Sequence, residues 1–124
     1  MTITILAVDD SSSVRKMVAS ALRFKGYEVR TATDGMEALE TLGCDVFNLA
    51  ILDINMPRLD GLSLLKAIRQ RPEWKDLPIL MLTTEGQEAD RDRALALGAT
   101  DYMVKPFKPS YLLERVAVLV ENTD

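Results

Sequence analysis

The chain has 124 residues, 48% of them hydrophobic, which suits one domain built on one core and argues against disorder. Its 15 Lys and Arg are scattered among 19 Asp and Glu for a net charge of −4, so no basic stripe exists for direct nucleic-acid binding. Histidine is absent, which removes the commonest general base, metal ligand and acceptor imidazole and leaves carboxylates, hydroxyls and lysines to carry any chemistry.

Met1 to Val8 has no basic flank and reaches Asp9 and Asp10 too soon for a secretory segment, and Ile3 to Val8 reads as the first strand. Ser11 to Ser13 supply cap candidates for a first helix, in which Val14, Met17, Val18, Ala21 and Leu22 share one face, with Gly26 as its stop. Glu28 to Ala32 is the second strand, and Gly35 to Leu42, capped by Asp34, the second helix. The single Cys44 cannot form an internal disulfide, and its place beside an apolar run predicts a buried thiol.

Val46 to Leu52 reads as the third strand, followed by a helix from Gly61 to Gln70 after the cap Asp60, halted by Pro72. Pro78 to Leu82 is the fourth strand. The helix after it, Gln87 to Leu97, crowds Glu88, Asp90, Arg91, Asp92 and Arg93 into two turns and has little apolar area, so it is an easily displaced element or an ion-paired surface helix. Asp101 to Val104 is the fifth strand, and a last helix opens near Pro109 with Leu112, Leu113, Val116, Ala117, Leu119 and Val120 as its stripe. No apolar run approaches the roughly 20 residues that span a bilayer. The expectation is one soluble, cytoplasmic domain over residues 1–124, and the end of the chain soon after the last helix argues against an attached output domain.

Strands alternating with helices predict an α/β fold with a parallel sheet covered on both faces, and such sheets bind ligands at the carboxyl ends of their strands. That edge collects Asp9 and Asp10 after the first strand, Asp53 after the third, Thr83 and Thr84 after the fourth, and Lys105 before Pro106 after the fifth. Two like charges ~4 Å apart repel by about 4 kcal/mol at an effective dielectric near 20, so the carboxylates need a cation. Oxygen-only ligands favour Mg²⁺. Asp53 is the central candidate nucleophile for forming an aspartyl phosphate. Asp9 and Asp10 would hold the metal, Lys105 would neutralise charge, and the Thr83 hydroxyl would donate to a phosphoryl oxygen. Taken singly, each residue reads more readily as a cap or a turn, and it is their joint placement after four strands that points to chemistry.

The stretches LAVDDSSSVRK, LAILDINMPRLDGLSLLKAIR, PILMLTTE and GATDYMVKPF resemble, in order and spacing from about Ile3 to Glu121, the receiver domains of two-component response regulators. The layout is most similar to the stand-alone CheY type. The resemblance implies a flavodoxin-like, doubly wound five-stranded parallel sheet of order 2-1-3-4-5 with five helices. It implies phosphorylation of Asp53 by a sensor histidine kinase, with Mg²⁺ held by Asp10, Asp53, the Asn55 backbone carbonyl and, through water, Asp9. It makes Thr83 and Tyr102 the switch pair, Lys105 the phosphate partner, Lys105–Pro106 a cis peptide, and Asn55 and Glu85 tuners of dephosphorylation. Arg91, Leu95, Tyr102, Val104, Phe107 and Arg115 then outline a partner face on the fourth helix, fifth strand and fifth helix. A downstream protein target is implied, with a flagellar motor or chemotaxis component as candidate, although Gln87 and Glu88 stand where flagellar-switch-binding relatives are often basic.

The expected protein is a monomeric switch that assists its own phosphorylation and dephosphorylation, not a turnover enzyme. A phosphorelay intermediate, a phosphate sink or the severed receiver of a longer regulator are alternatives within the class. A Mg²⁺ phosphatase of the haloacid dehalogenase class places its nucleophile after the first strand with an Asp two residues on, whereas Asp53 follows the third run and its +2 residue is Asn55. A flavin carrier of this topology needs phosphate-binding donors after the first strand, where Asp9 and Asp10 would repel FMN.

Overall fold

Strands and helices alternate along the whole chain in the computed structural model, which describes residues 2–56, 58–84 and 86–121. The strands are β1 (Thr4–Val8), β2 (Glu28–Ala32), β3 (Leu49–Asp53), β4 (Ile79–Thr84) and β5 (Asp101–Lys105). The helices are α1 (Ser12–Phe24), α2 (Gly35–Leu42), α3 (Gly61–Arg69), α4 (Glu88–Ala96) and α5 (Pro109–Glu121). All four strand pairings are parallel and the order is β2-β1-β3-β4-β5, as the resemblance implies.

β3 and β4 read as nearly unbroken apolar runs because both of their faces are covered. Ile5, Ala7, Ile51 and Leu80 point to a layer shared with Val18 and Leu22 of α1 and Leu112 and Val116 of α5. Leu6, Val8, Leu52 and Met81 point the other way, onto Ala38 and Leu42 of α2, Leu64, Leu65 and Ile68 of α3, and Ala94 of α4. Each such Leu, Ile or Val stabilises the fold by about 1.5–3 kcal/mol relative to exposure. With every strand running the same way, the last residues of β1, β3, β4 and β5 meet at one rim.

The helix starts follow local chemistry. Ser11 Oγ accepts the Val14 N–H at 3.3 Å, Asp34 Oδ1 the Glu37 N–H at 2.9 Å, and Asp60 Oδ1 the Ser63 N–H at 2.9 Å. α4 differs: its first residue follows Gln87 without a side-chain cap, and Ala94 is its one buried residue. This matches the composition of that segment, and it makes α4 the least anchored of the five helices.

Three expectations need correction. β3 starts at Leu49 instead of Val46, which is 80% exposed in the loop before it. Cys44 is exposed, because the run beside it is loop and not strand. β3, β4 and β5 each extend through the residues read as following them, so Asp53, Thr83, Thr84 and Lys105 are the final rungs of strands. A short 3-10 turn, Pro72–Trp74, lies beyond α3 where Pro72 stops the helix. Among the described residues, no helix is long and apolar enough to cross a membrane.

Candidate functional site: an acidic pocket at the strand ends

The rim of the sheet brings Asp9, Asp10 and Asp53 together, with one carboxylate oxygen from each within 4.8 Å of the others. Asp9 and Asp53 are buried and Asp10 is exposed at the mouth. The Ser11 N–H, 2.9 Å from Asp9 Oδ1, and the Arg15 guanidinium, 2.8 Å from the Asp9 backbone oxygen, fix the turn from β1 into α1. Lys105, the last residue of β5, places its Nζ 2.8 Å from Asp9 Oδ2 and 3.2 Å from Asp53 Oδ1.

One ammonium does not balance this much negative charge. Burial first, and the Asp9 charge second, push the Asp53 carboxyl up to about 6, against the opposing pull of Lys105. Burial works against the charge on Lys105, yet its contacts with Asp9 and Asp53 outweigh that and hold it above the ordinary lysine value. The pocket is thus short of positive charge at neutral pH. Its donors are all oxygens, the set a hard divalent cation prefers. The residues therefore fit such an ion.

The other predicted residues fall into two groups. Thr83 is buried at the end of β4, and its hydroxyl donates to the Met103 backbone oxygen at 3.3 Å. It opens with Arg91 and Val104 onto a small cleft at the start of α4. Asn55 directs its side-chain amide to Thr84 Oγ1 at 3.4 Å and Gln87 Oε1 at 3.2 Å, which ties the turn after β3 to the entry of α4. Glu85 lies outside the described residues.

Tyr102 is half-buried, with its ring against the α2/α3/α4 layer and the Arg91 guanidinium 5.2 Å from its centroid. Tyr102, Val104, Phe107 and Arg115 line one groove between β5 and α5, and Arg115 is ion-paired to Asp101. Leu95, 41% exposed, stands one turn beyond Arg91 on α4. The Lys105–Pro106 peptide is cis, as the resemblance implies.

Gly61, by pattern only a helix start, lies against the end of β3. A Cβ there would land on the carbonyl oxygen of Asp53 and 2.6 Å from the Ile54 Cα, and the Gly61 N–H donates to the Ile54 oxygen at 2.8 Å. The signal is the dipeptide Asp60-Gly61, which by pattern alone is only a cap and a helix start.

A doubly wound sheet with an acidic pocket and a lysine at its carboxyl rim is the arrangement that the receiver-domain resemblance implies. Residues 5–117 match the response regulator receiver domain, and the chain belongs to that family. The chain is 44% identical over 119 residues to "Response regulator MprA" of Mycobacterium leprae, covering 96% of this chain and 51% of that one. It is 45% identical over 120 residues to "Probable transcriptional regulator ycf27" of Cyanophora paradoxa, covering 97% and 49% respectively. The chain therefore spans about half the length of these curated relatives. The solved chemotaxis response regulator CheY4 of Vibrio cholerae is 44% identical with a TM-score of 0.91, covering 96% of this chain and 99% of that one. Receiver domains are signalling switches partnered by histidine kinases.

Proposed function

We propose that Asp53 takes a phosphoryl group from a phosphohistidine of a sensor kinase, and that the domain reports this to a protein target through α4, β5 and α5. The observation that carries the reading is the buried Asp53 carboxylate in ion-pair contact with Lys105 and within 4.8 Å of two further carboxylates. A carboxylate oxygen of Asp53 attacks phosphorus in line. The new P–O bond forms as the P–N bond to the imidazole breaks, and the departing nitrogen keeps the electron pair. Lys105 Nζ, already 3.2 Å from Asp53 Oδ1, neutralises charge on the phosphoryl oxygens.

Asp10, Asp53 and the Asn55 backbone carbonyl would hold Mg²⁺, with Asp9 acting through water. Bound there, the ion supplies charge neutralisation for the incoming phosphoryl oxygens. The domain in this way assists its own phosphorylation. Hydrolysis reverses the state when water attacks phosphorus and Asp53 leaves as carboxylate, a step for which the resemblance makes Asn55 and Glu85 the tuners.

A phosphoryl group adds about −1.5 to −2 charge. That charge competes with the Met103 carbonyl for the Thr83 hydroxyl and draws it toward Asp53. The space released lets Tyr102 leave the Arg91 guanidinium and turn inward. α4, uncapped and held by one buried alanine, is the element that answers. Reversing a 1:99 equilibrium takes about 5.5 kcal/mol, so phosphorylation shifts the population in part and the target completes it.

We read residues 1–124 as one receiver domain, monomeric and cytoplasmic; its chemotaxis-type output is the part supported by the match to the chemotaxis response regulator CheY4 along nearly that whole protein. Transcriptional control is the second reading, supported by the probable transcriptional regulator ycf27, of which this chain matches about half. The sequence-level alternatives of a phosphorelay intermediate or phosphate sink share the same chemistry at Asp53.

The experiment is phosphoryl uptake from acetyl phosphate, with and without a chelator. One phosphoryl group per chain is expected with Mg²⁺ and none after chelation. Undiminished uptake in the chelator would overturn the metal-dependent mechanism.

A further inference from the structure

The turn from β3 into α3 carries Asn55, and it is held from outside the pocket. Arg58, in this turn, has φ +66, a left-handed conformation that a residue with a Cβ adopts only when something compensates. Its Nη2 lies 2.9 Å from Asp34 Oδ1, the same oxygen that accepts the Glu37 N–H at the start of α2. The next residue of the turn, Leu59, rests on Gly35, where a Cβ would stand 2.5 Å from the Leu59 backbone oxygen and 2.7 Å from its Cβ. The Asp34–Gly35 step is thus a seat cut to fit the turn, with Arg58 as its latch.

The Arg58 side chain is 61% exposed, so the ion pair adds little to overall stability, while the left-handed backbone costs some. A strained residue held by a weak pair is a poor stability device. It is a reasonable positioning device, because it fixes one conformation of a turn that begins beside Asp53.

We propose that Arg58 and Asp34 are positioning residues for divalent-cation binding: their ion pair fixes the Arg58–Leu59 end of the turn that carries Asn55, whose backbone carbonyl would join Asp10 and Asp53 in holding the ion. This rests on the reading of the acidic pocket as a Mg²⁺ site. Without the latch the turn samples other conformers, and the apparent affinity falls by the fraction of time it spends in the competent one. Phosphoryl uptake, which needs the ion, weakens in parallel, while Asp53 and Lys105 stay in place.

The test is calorimetric Mg²⁺ titration of the full chain, alongside urea unfolding in a chelator. The variants are Asp34→Asn, which keeps a capping side chain, Arg58→Gly, which accepts the positive φ, and the two combined. Each single variant is expected to weaken Mg²⁺ binding about threefold to tenfold, and the double variant no more than the worse single one, because both break one interaction. Urea midpoints without Mg²⁺ should stay close to that of the parent chain. Unchanged affinity in the single variants, additive losses in the double, or a loss of affinity matched by a loss of stability would each overturn the latch. Asp53→Asn serves as reference: a parent chain that binds Mg²⁺ no better than this variant would bring down the metal-site reading itself, and the latch with it.

Discussion

Replacing Asp53 by asparagine is expected to end phosphoryl uptake and, in the absence of a divalent ion, to make the protein more stable at neutral pH. The first effect follows from removing the nucleophilic oxygen. The second follows from the strain of the pocket. Burial and the Asp9 charge raise the Asp53 carboxyl from an ordinary value of 3.8 to about 6, a difference worth about 3 kcal/mol. Between those values the folded chain binds more protons at this group than the unfolded chain, so stability falls as pH rises. The penalty is absent below about 3.8, where both states are protonated, and complete above about 6.

Asparagine keeps the shape and carries no charge, so it escapes the penalty. It also leaves Lys105 with Asp9 as its remaining partner among the described residues, which offsets part of the gain. A net gain of about 1–3 kcal/mol is expected at pH about 8, shrinking toward zero near pH 4. Urea unfolding of both chains in a chelator measures it. Superimposed curves at neutral pH, or a more stable parent, would show that the pocket carries no unbalanced charge. Adding Mg²⁺ should stabilise the parent, by RT ln(1 + [Mg²⁺]/Kd), and the variant less.

Gly61→Ala is the second change expected to have a large effect. The added methyl would meet the Asp53 carbonyl oxygen and stand 2.6 Å from the Ile54 Cα, both of them backbone that no rotamer change can move. Overpacking of this kind costs about 3 kcal/mol or more, a fall in melting temperature of roughly 10 °C. The relief route runs through β3 itself, so Asp53 moves and phosphoryl uptake falls even in the fraction that folds. Gly26→Ala is the matched control. Gly26 has φ +90 but nothing within 4 Å of the point where a Cβ would stand, so only the backbone penalty of about 1 kcal/mol applies and uptake should be unaffected. Equal losses of stability in the two variants, measured by thermal unfolding, would contradict the close approach at Gly61.

Where an element's pattern and its cap agree, the sequence is enough. β2 and α2 occupy the predicted residues, because Val29 and Ala32 of the strand face inward and Asp34 supplies the first acceptor of the helix. The start of β3 is not legible in the same way, because Val46 and Phe47 have strand-like side chains. Only long-range pairing decides the matter: Ile5 pairs with Leu49, and the Asn48 N–H is taken by the Thr4 oxygen as the chain enters the sheet. The exposure of Cys44 has the same origin.

The contact of Lys105 with Asp9 and Asp53 is legible because a parallel sheet forces its strand ends onto one rim. Contacts made sideways along that rim are not. Asp34 and Arg58 are 24 residues apart and meet only once α2 and the turn after β3 pack together. Likewise, the Thr83 hydroxyl points to Met103 in the structure, a choice between two acceptors that no local pattern records.

The most direct measurement is chemical trapping of the phosphorylated residue. Borohydride reduces an aspartyl phosphate, and no free carboxylate, to the alcohol, so protein loaded from acetyl phosphate with Mg²⁺, reduced and digested should carry homoserine at its modified position. Peptide mass mapping is expected to place homoserine at residue 53 and nowhere else. Homoserine at residue 9 or 10, or phosphorylated protein that yields none, would contradict the assignment of Asp53.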